Sequence, residues 1–226
     1  MFGVDIFISN NVCDFFPIKC KKIYIHHDIL DTPLVDKNKI KKLKERLSKY
    51  NFILVSSSIT SRIFNDLLKD AEKKIIPIGY FKLDYLSRFE NKTHKKSNKI
   101  IIAPTNFKSF RNMSMINSLT KIFNYIINQT SYEVVFRPHP SNINDKFIAK
   151  IKSKYLSCKK FSFDDSKNYS KVYLNSFCMI TDISGTAYTY AFLTKKPVVF
   201  YCSYKMSLER IYKHLFYFKK REQIGK

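Results

Sequence analysis

The stretch from Glu133 to Ser141 reads Glu-Val-Val-Phe-Arg-Pro-His-Pro-Ser. Its β-branched and aromatic residues are typical of a buried strand. The two prolines then fix the backbone on both sides of His139, and Pro138 holds Arg137 in an extended conformation. Ligands of parallel α/β sheets bind at the carboxyl ends of strands. If the fold is of this kind, the rigid turn at the end of the strand marks the position of a site. A proline-stiffened structural turn is the ordinary alternative.

Similar short apolar runs recur along the chain, and amphipathic stretches separate them. We predict strands at Val4–Ser9, Lys22–His26, Phe52–Ser56, Lys74–Ile78, Lys99–Ala103, Glu133–Arg137, Lys160–Phe163, Cys178–Thr181 and Pro197–Tyr201. We predict helices at Lys39–Lys49, Ser58–Leu68, Met113–Asn128, Asn144–Lys154, Lys167–Asn175, Ala187–Leu193 and Met206–Lys220. This alternation predicts parallel sheets built from right-handed βαβ units.

A polar segment, Asn91–Asn98, lies between the fourth and fifth predicted strands and has the composition of a linker. It divides the chain into two α/β units. We predict a short N-terminal domain over residues 1–90 and a C-terminal domain over residues 99–226.

Composition narrows the class of protein. The chain has 226 residues, of which 45% are hydrophobic, so it can build a packed core and is not a disordered polyelectrolyte. The 41 Lys and Arg against 18 Asp and Glu give a net charge of +23, and such a surface attracts polyanions. Nucleic acid, anionic lipid, a nucleotide-linked donor and a phosphate-rich polymer all remain open as partners.

The sequence gives no sign of export, disulfides or metal. Residues Met1–Asp5 lack the basic-then-apolar pattern of a signal peptide, and no apolar run approaches the roughly 20 residues of a membrane span. The five cysteines form no Cys-x-x-Cys pair, and no acidic cluster demands a metal ion. We therefore expect a cytoplasmic protein without a metal or other cofactor. Its basic, aromatic stretch Lys205–Arg221 is able to lie on the anionic inner face of the cell membrane. A terminal helix that packs on the core with its basic face in solvent is an equally good alternative.

Histidines follow two of the predicted strands. His26 and His27 come at the end of the second strand, and His139 follows the sixth. An imidazole titrates near neutral pH, so each of the three is a candidate general base or acid. Arg137, beside His139, carries a planar guanidinium that suits a phosphate group. For His26 and His27, a hydrogen-bonded histidine within a loop is the ordinary alternative.

The third cluster follows the strand Cys178–Thr181 and contains Asp182, Ser184, Gly185 and Thr186. It leads directly into a predicted helix. Small residues at a helix N-terminus expose backbone N–H groups that favour an anion, so this segment is a candidate diphosphate site. An ordinary helix cap is the alternative. Thr105, after the strand Lys99–Ala103, is a weaker candidate for contact with the donor, and a plain loop explains it equally well.

The order of these motifs resembles the CDP-glycerol glycerophosphotransferases of teichoic acid synthesis and related capsule polymerases. The closest likeness runs through Ala103-Pro104-Thr105, Arg137-Pro138-His139-Pro140, Thr181-Asp182-Ile183-Ser184 and Lys196-Pro197-Val198. The first half is similar in its strand that leads to a histidine, in Ser56-Ser57 and in Ile78-Gly79. Two positions depart from the family pattern: His27 stands where glycine usually follows the first histidine, and Gly185 replaces a second serine.

The resemblance implies two facing Rossmann-like domains of the GT-B type, with the first domain abbreviated here. Residues 1–90 would serve the acceptor and residues 99–226 would bind the nucleotide donor. His26 or His27 and His139 would be catalytic, with His26 favoured because it lies nearer the strand end. Arg137, Asp182, Ser184, Gly185, Thr186 and Thr105 would bind the donor. The donor would be CDP-linked, and the acceptor a polyol-phosphate or saccharide polymer or a lipid-linked form of it.

Two other functions remain open from the sequence. A glycosyltransferase of the same fold would use a nucleotide sugar to build capsule or surface polysaccharide, and the same residues would bind its diphosphate. A nucleic-acid or anionic-surface binding protein would explain the charge and the interleaved Tyr and Phe residues. The lysines are spread along the chain, however, and no known nucleic-acid motif occurs, so a nucleic-acid partner is not expected.

Overall fold

The computed structural model describes residues 4–30, 37–69, 74–88, 97–109, 114–202 and 215–225. Within them the chain forms two parallel sheets, because βαβ crossovers connect almost every successive pair of strands. The prediction of an α/β protein with two Rossmann-like units, the first one smaller, is confirmed.

The first sheet contains β1 (Ile6–Ser9), β2 (Lys21–Ile25), β3 (Phe52–Val55) and β4 (Ile75–Pro77) in the order β1-β2-β3-β4. Helices α1 (Lys37–Leu47) and α2 (Ser58–Leu68) connect the last three strands, and α3 (Phe81–Ser87) follows β4. Ser57 caps α2 by accepting the Thr60 N–H. Aromatic and aliphatic side chains close the core of this unit, namely Tyr24, Leu47, Tyr50, Ile53, Val55, Phe64 and Ile75.

The second sheet contains β5 (Lys99–Ala103), β6 (Glu133–Phe136), β7 (Phe161–Phe163), β8 (Cys178–Thr181) and β9 (Val198–Phe200). Its helices are α4 (Leu119–Gln129), α5 (Lys146–Tyr155), α6 (Ser170–Leu174) and α7 (Thr186–Thr194). Short 3₁₀ helices occur at Met115–Ser118 and Pro140–Asn142. The core centres on Phe123 of α4, whose ring lies 5.2 to 5.5 Å from those of Phe136, Tyr155 and Phe161.

The order of the second sheet is β7-β6-β5-β8-β9. The chain first adds β6 and β7 on one side of β5 and then returns to add β8 and β9 on the other side. This reversal creates a topological switch point between β5 and β8, which is where open α/β sheets bind their ligands. The first sheet adds its strands in one direction only, so its described strands contain no such reversal.

By its contacts, the chain divides into one unit of Met1–Tyr85 with Leu215–Tyr217 and another of Leu86–His214 with Phe218–Lys226. The acceptor-side and donor-side roles of the two predicted domains remain predictions. The predicted linker lies largely outside the described residues. So does most of the predicted terminal helix Met206–Lys220, of which the structure describes α8 (Phe216–Lys220).

Candidate functional site

The candidate donor site lies at the carboxyl edge of the second sheet, where three loops follow the adjacent strands β6, β5 and β8. The loop after β6 carries His139, the loop after β5 carries Thr105, and the loop after β8 carries Asp182 and Ser184. Parallel strands in neighbouring positions thus bring the second-unit candidates to one edge of one sheet.

Asp182 is 1% exposed and connects two of the loops. Its Oδ1 accepts the backbone N–H of Thr105 at 2.8 Å, and its Oδ2 accepts that of Met115 at 2.8 Å. Burial raises the pKa of this carboxyl group to about 7, although the two N–H donors and Ser114 act in the opposite direction. With both oxygens occupied, Asp182 holds the site together; a direct contact with the donor is still a prediction.

His139 sits in a turn that fixes its ring nitrogen Nδ1. The backbone N–H of Ser141 lies 3.2 Å from Nδ1 and donates to it. A nitrogen that accepts a hydrogen bond carries no proton, so the neutral ring holds its proton on Nε2. The side chain is half-buried. His139 is therefore arranged as a hydrogen-bond donor or general acid through Nε2.

Arg137 is engaged by the loop that follows β7. Its guanidinium contacts the carboxylate of Asp164, donates to the carbonyl oxygen of Ser166 at 2.9 Å, and lies over the ring of Tyr169 at 5.2 Å. The side chain is only 11% exposed. These contacts give Arg137 a structural role that the sequence did not indicate, while its predicted grip on a phosphate remains a prediction.

Ser184, Gly185 and Thr186 lead into α7 as predicted. Ser184 is 7% exposed, and its carbonyl oxygen accepts the Ala187 N–H at 3.1 Å, which begins the helical turn. Gly185 is the N-cap residue and provides no capping side chain. The hydroxyl of Thr186 is hydrogen-bonded to that of Tyr173, a phenol whose pKa burial raises to about 12.

The two histidines of the first unit have different surroundings. His26 is 2% exposed; its Nε2 lies 2.6 Å from the carbonyl oxygen of Leu30, and its ring packs on Phe64. The side chain of His27 is 49% exposed. Its Nδ1 lies 3.0 Å from the carbonyl oxygen of Asn10, so Nδ1 carries the proton and Nε2 retains the lone pair of a base. Exposure thus favours His27 as the candidate general base, whereas the sequence favoured His26 for that role.

The sequence did not single out Asn142, although it is 1% exposed at the edge of the site. Its Oδ1 accepts the Phe107 N–H at 3.2 Å, which ties the loop after β6 to the loop after β5. No sequence signal identifies it, because an asparagine after Pro-Ser is as typical of an exposed turn as of a buried link.

The described residues bring together no group of three or more His, Cys, Asp or Glu side chains that could hold a metal ion. Within the same part of the chain, every helix is too short or too polar to traverse a lipid bilayer.

The model of the CDP-glycerol:poly(glycerophosphate) glycerophosphotransferase family matches residues 23–223, nearly the whole chain. The chain belongs to this family. The match spans both units and includes every candidate residue discussed above. A search among curated proteins gives no match.

Solved structures agree with a glycerophosphotransferase fold. One structure of the wall teichoic acid polymerase TagF has a TM-score of 0.57 at 19% identity and covers 94% of this chain but 57% of TagF. A second TagF structure has a TM-score of 0.53 at 19% identity and covers 92% of this chain and 54% of TagF. S. aureus MnaA in its co-structure with UDP gives 0.56 at 10% identity, with 80% and 50% coverage. At these identities the likeness shows the fold alone, and this chain spans little more than half the length of the TagF chains.

Asp182→Asn should destabilise the second unit. One of the two backbone N–H donors would then face an amide NH₂ group, and leaving such a donor unpaired costs about 1–3 kcal/mol. The folded-state pKa of Asp182 is about 7 against an ordinary 3.8. Its stabilising contribution is therefore present at low pH and is lost as the pH rises through 7. Urea unfolding should show that the free energy of unfolding of wild type exceeds that of the variant by more at pH 5 than at pH 8.

The exposed Asp165 offers a control for this comparison. Asp165→Asn should change the free energy of unfolding little at either pH. A gap between wild type and Asp182→Asn that widens with rising pH would contradict the assignment.

Proposed function

We propose that the protein transfers glycerol phosphate, or a related polyol phosphate, from a CDP-linked donor to a bacterial surface polymer or its lipid-linked precursor, and releases CMP. Membership of the glycerophosphotransferase family supports the donor class. The observation that carries the proposal is the switch point, where the loops of His139, Thr105 and Ser184 share one sheet edge. A sugar transferase and a nucleic-acid binding protein are less well supported, because the family match covers both units.

In the proposed reaction, a hydroxyl oxygen of the acceptor attacks the distal phosphorus of the donor. The new P–O bond forms as the bond to the bridging oxygen breaks, and CMP leaves with that oxygen. The hydroxyl proton passes to a histidine nitrogen. Phosphoryl chemistry of this kind depends chiefly on positioning and on charge stabilisation.

The candidate residues of the second unit would have different roles in this reaction. His139 would donate its Nε2–H to the oxygen on which charge develops. Ser184 and the first turn of α7 would bind the diphosphate, since the helix dipole favours an anion at this end. Thr105, Gly185 and Thr186 would line the same donor site.

The general base would come from the first unit. His27 is the better candidate of the two histidines, because its Nε2 is a lone-pair nitrogen on a half-exposed side chain, 3.8 Å from the Asp28 carboxylate.

His139→Ala should abolish transfer while leaving the fold intact. Losing a group that stabilises charge or transfers a proton costs about 10²- to 10⁴-fold in rate. The assay would follow CMP release from CDP-glycerol with a polyol-phosphate acceptor. Asn144→Ala, at an exposed position nearby, is the matched control and should retain activity. Wild-type CMP release combined with full activity of His139→Ala would show that the catalytic assignment is wrong.

His27→Ala and His26→Ala should separate catalysis from stability. His27→Ala should lower the rate of CMP release about 10²- to 10⁴-fold with an unchanged melting temperature, since its side chain contributes a base and few packing contacts. His26→Ala should lower the melting temperature, because it leaves a cavity against Phe64, yet keep a near wild-type rate per folded molecule. The reverse pattern would assign the base to His26.

The location on the inner face of the cell membrane belongs to the same proposal. The sequence Lys205–Arg221 contains six basic residues among apolar ones, and each Lys or Arg near an anionic leaflet contributes about 1 kcal/mol to binding. Sedimentation with vesicles that contain phosphatidylglycerol should show binding, whereas pure phosphatidylcholine vesicles should not. Replacing Lys219 and Lys220 by Glu should weaken binding to the phosphatidylglycerol vesicles. Equal binding to both vesicle types, or none to either, would count against a membrane location.

A further inference from the structure

The turn that carries His139 has one buried polar anchor. His139 and Asn142 enclose a single 3₁₀ turn, in which the Asn142 N–H donates to the His139 carbonyl oxygen at 2.8 Å. Pro140 and Ser141 between them are exposed, whereas Asn142 is 1% exposed. The side chain of Asn142 is therefore the part of this turn that is fixed inside the protein.

That anchor reaches across to the neighbouring loop. Asn142 Oδ1 accepts the backbone N–H of Phe107, in the loop that follows β5. The same loop is held on its other side by Asp182 through Thr105. Asn142 thereby completes a chain of hydrogen bonds that runs from the loop of Ser184, through the loop of Thr105, to the turn of His139.

The amide nitrogen of Asn142 has no partner among the described residues, although it is buried. Buried polar groups are almost always paired, and an unpaired donor is unfavourable. Among the described residues, the side-chain contact of Asn142 is therefore the one that its Oδ1 makes with the Phe107 N–H.

From these contacts we infer that Asn142 is a positioning residue for His139. By fixing the turn to the loop after β5, it sets the place of the His139 ring and preserves the Ser141 N–H···Nδ1 bond that keeps the ring proton on Nε2. The expected loss of kcat rests on the proposed transferase function, whereas the expected change in the His139 tautomer does not.

The test replaces Asn142 in two ways. Asn142→Leu has a similar volume and removes the acceptor, whereas Asn142→Asp keeps an oxygen for the Phe107 N–H. A displaced catalytic group costs about 10²-fold in rate. Asn142→Leu should therefore lower kcat for CMP release from CDP-glycerol about 10²-fold and change KM for CDP-glycerol less than threefold. Asn142→Asp should restore kcat to within about fivefold of wild type, and its added charge should instead raise KM by repelling the diphosphate.

Asp145→Asn is the matched control. Asp145 forms an ion pair at 3.1 Å with the exposed Lys108, between the same two segments, and such pairs contribute little. Asp145 also caps α5 by accepting the Phe147 N–H, and asparagine can keep that cap. Its replacement should leave kcat within about twofold of wild type. If Asn142→Leu lowers the melting temperature but keeps the wild-type kcat in assays well below that temperature, Asn142 is merely structural and the inference is overturned.

Nitrogen-15 NMR of the imidazoles gives a readout without any enzyme assay. The His139 signals, assigned through His139→Gln, should show a single tautomer protonated at Nε2 in wild type and in Asn142→Asp. Asn142→Leu should show a mixture of tautomers. If the tautomer changes as expected and wild type releases no CMP, the proposed function fails but the positioning role stands. If the tautomer is the same in all three proteins, the positioning role fails.

Discussion

The carboxylate of Asp182 is the interaction on which the candidate site depends. A charged or polar group without water must find its partners within the protein, and here the two oxygens take the backbone N–H groups of Thr105 and Met115. Those residues belong to the chain that leaves β5, whereas Asp182 follows β8. The side chain of Asp182 thus connects the loops after β5 and β8 and keeps the carboxyl ends of these two strands at a fixed separation.

Both units are built from βαβ crossovers, but the order of their strands differs. In the second, the chain reverses its direction of strand addition beside β5, and the loops that carry Thr105 and Ser184 leave neighbouring strands on the two sides of that point. In the first, strands β1 to β4 follow in order, and the candidate histidines come from a single loop after β2. The reversal beside β5 fits the proposed donor site in the second unit.

Local chemistry explains which features could be predicted from the sequence. The nine strands of the described residues were predicted with ends within about two residues, because short β-branched runs between turn residues are unambiguous when helices alternate with them. Helix α3 was missed, since Phe81–Ser87 mixes aromatic and charged residues just after the turn at Gly79. The predicted site residues of the second unit reach one sheet edge, but their contacts could not be predicted. Asp182 binds a residue 77 positions earlier, and Arg137 binds one 27 positions later. The buried role of Asn142 likewise depends on a partner 35 positions away.

The way Asp182 holds the segment from Thr105 to Met115 affects how this protein can change in evolution. One carboxylate clasps both ends of the segment, so the separation of those ends does not depend on how many residues lie between them. Doubling the length of a flexible loop costs only about 0.6 kcal/mol of closure entropy. Insertions between Lys108 and Met115 should therefore cost little stability and leave the strand ends undisturbed. Related proteins can vary in length here while Asp182 keeps the same two contacts.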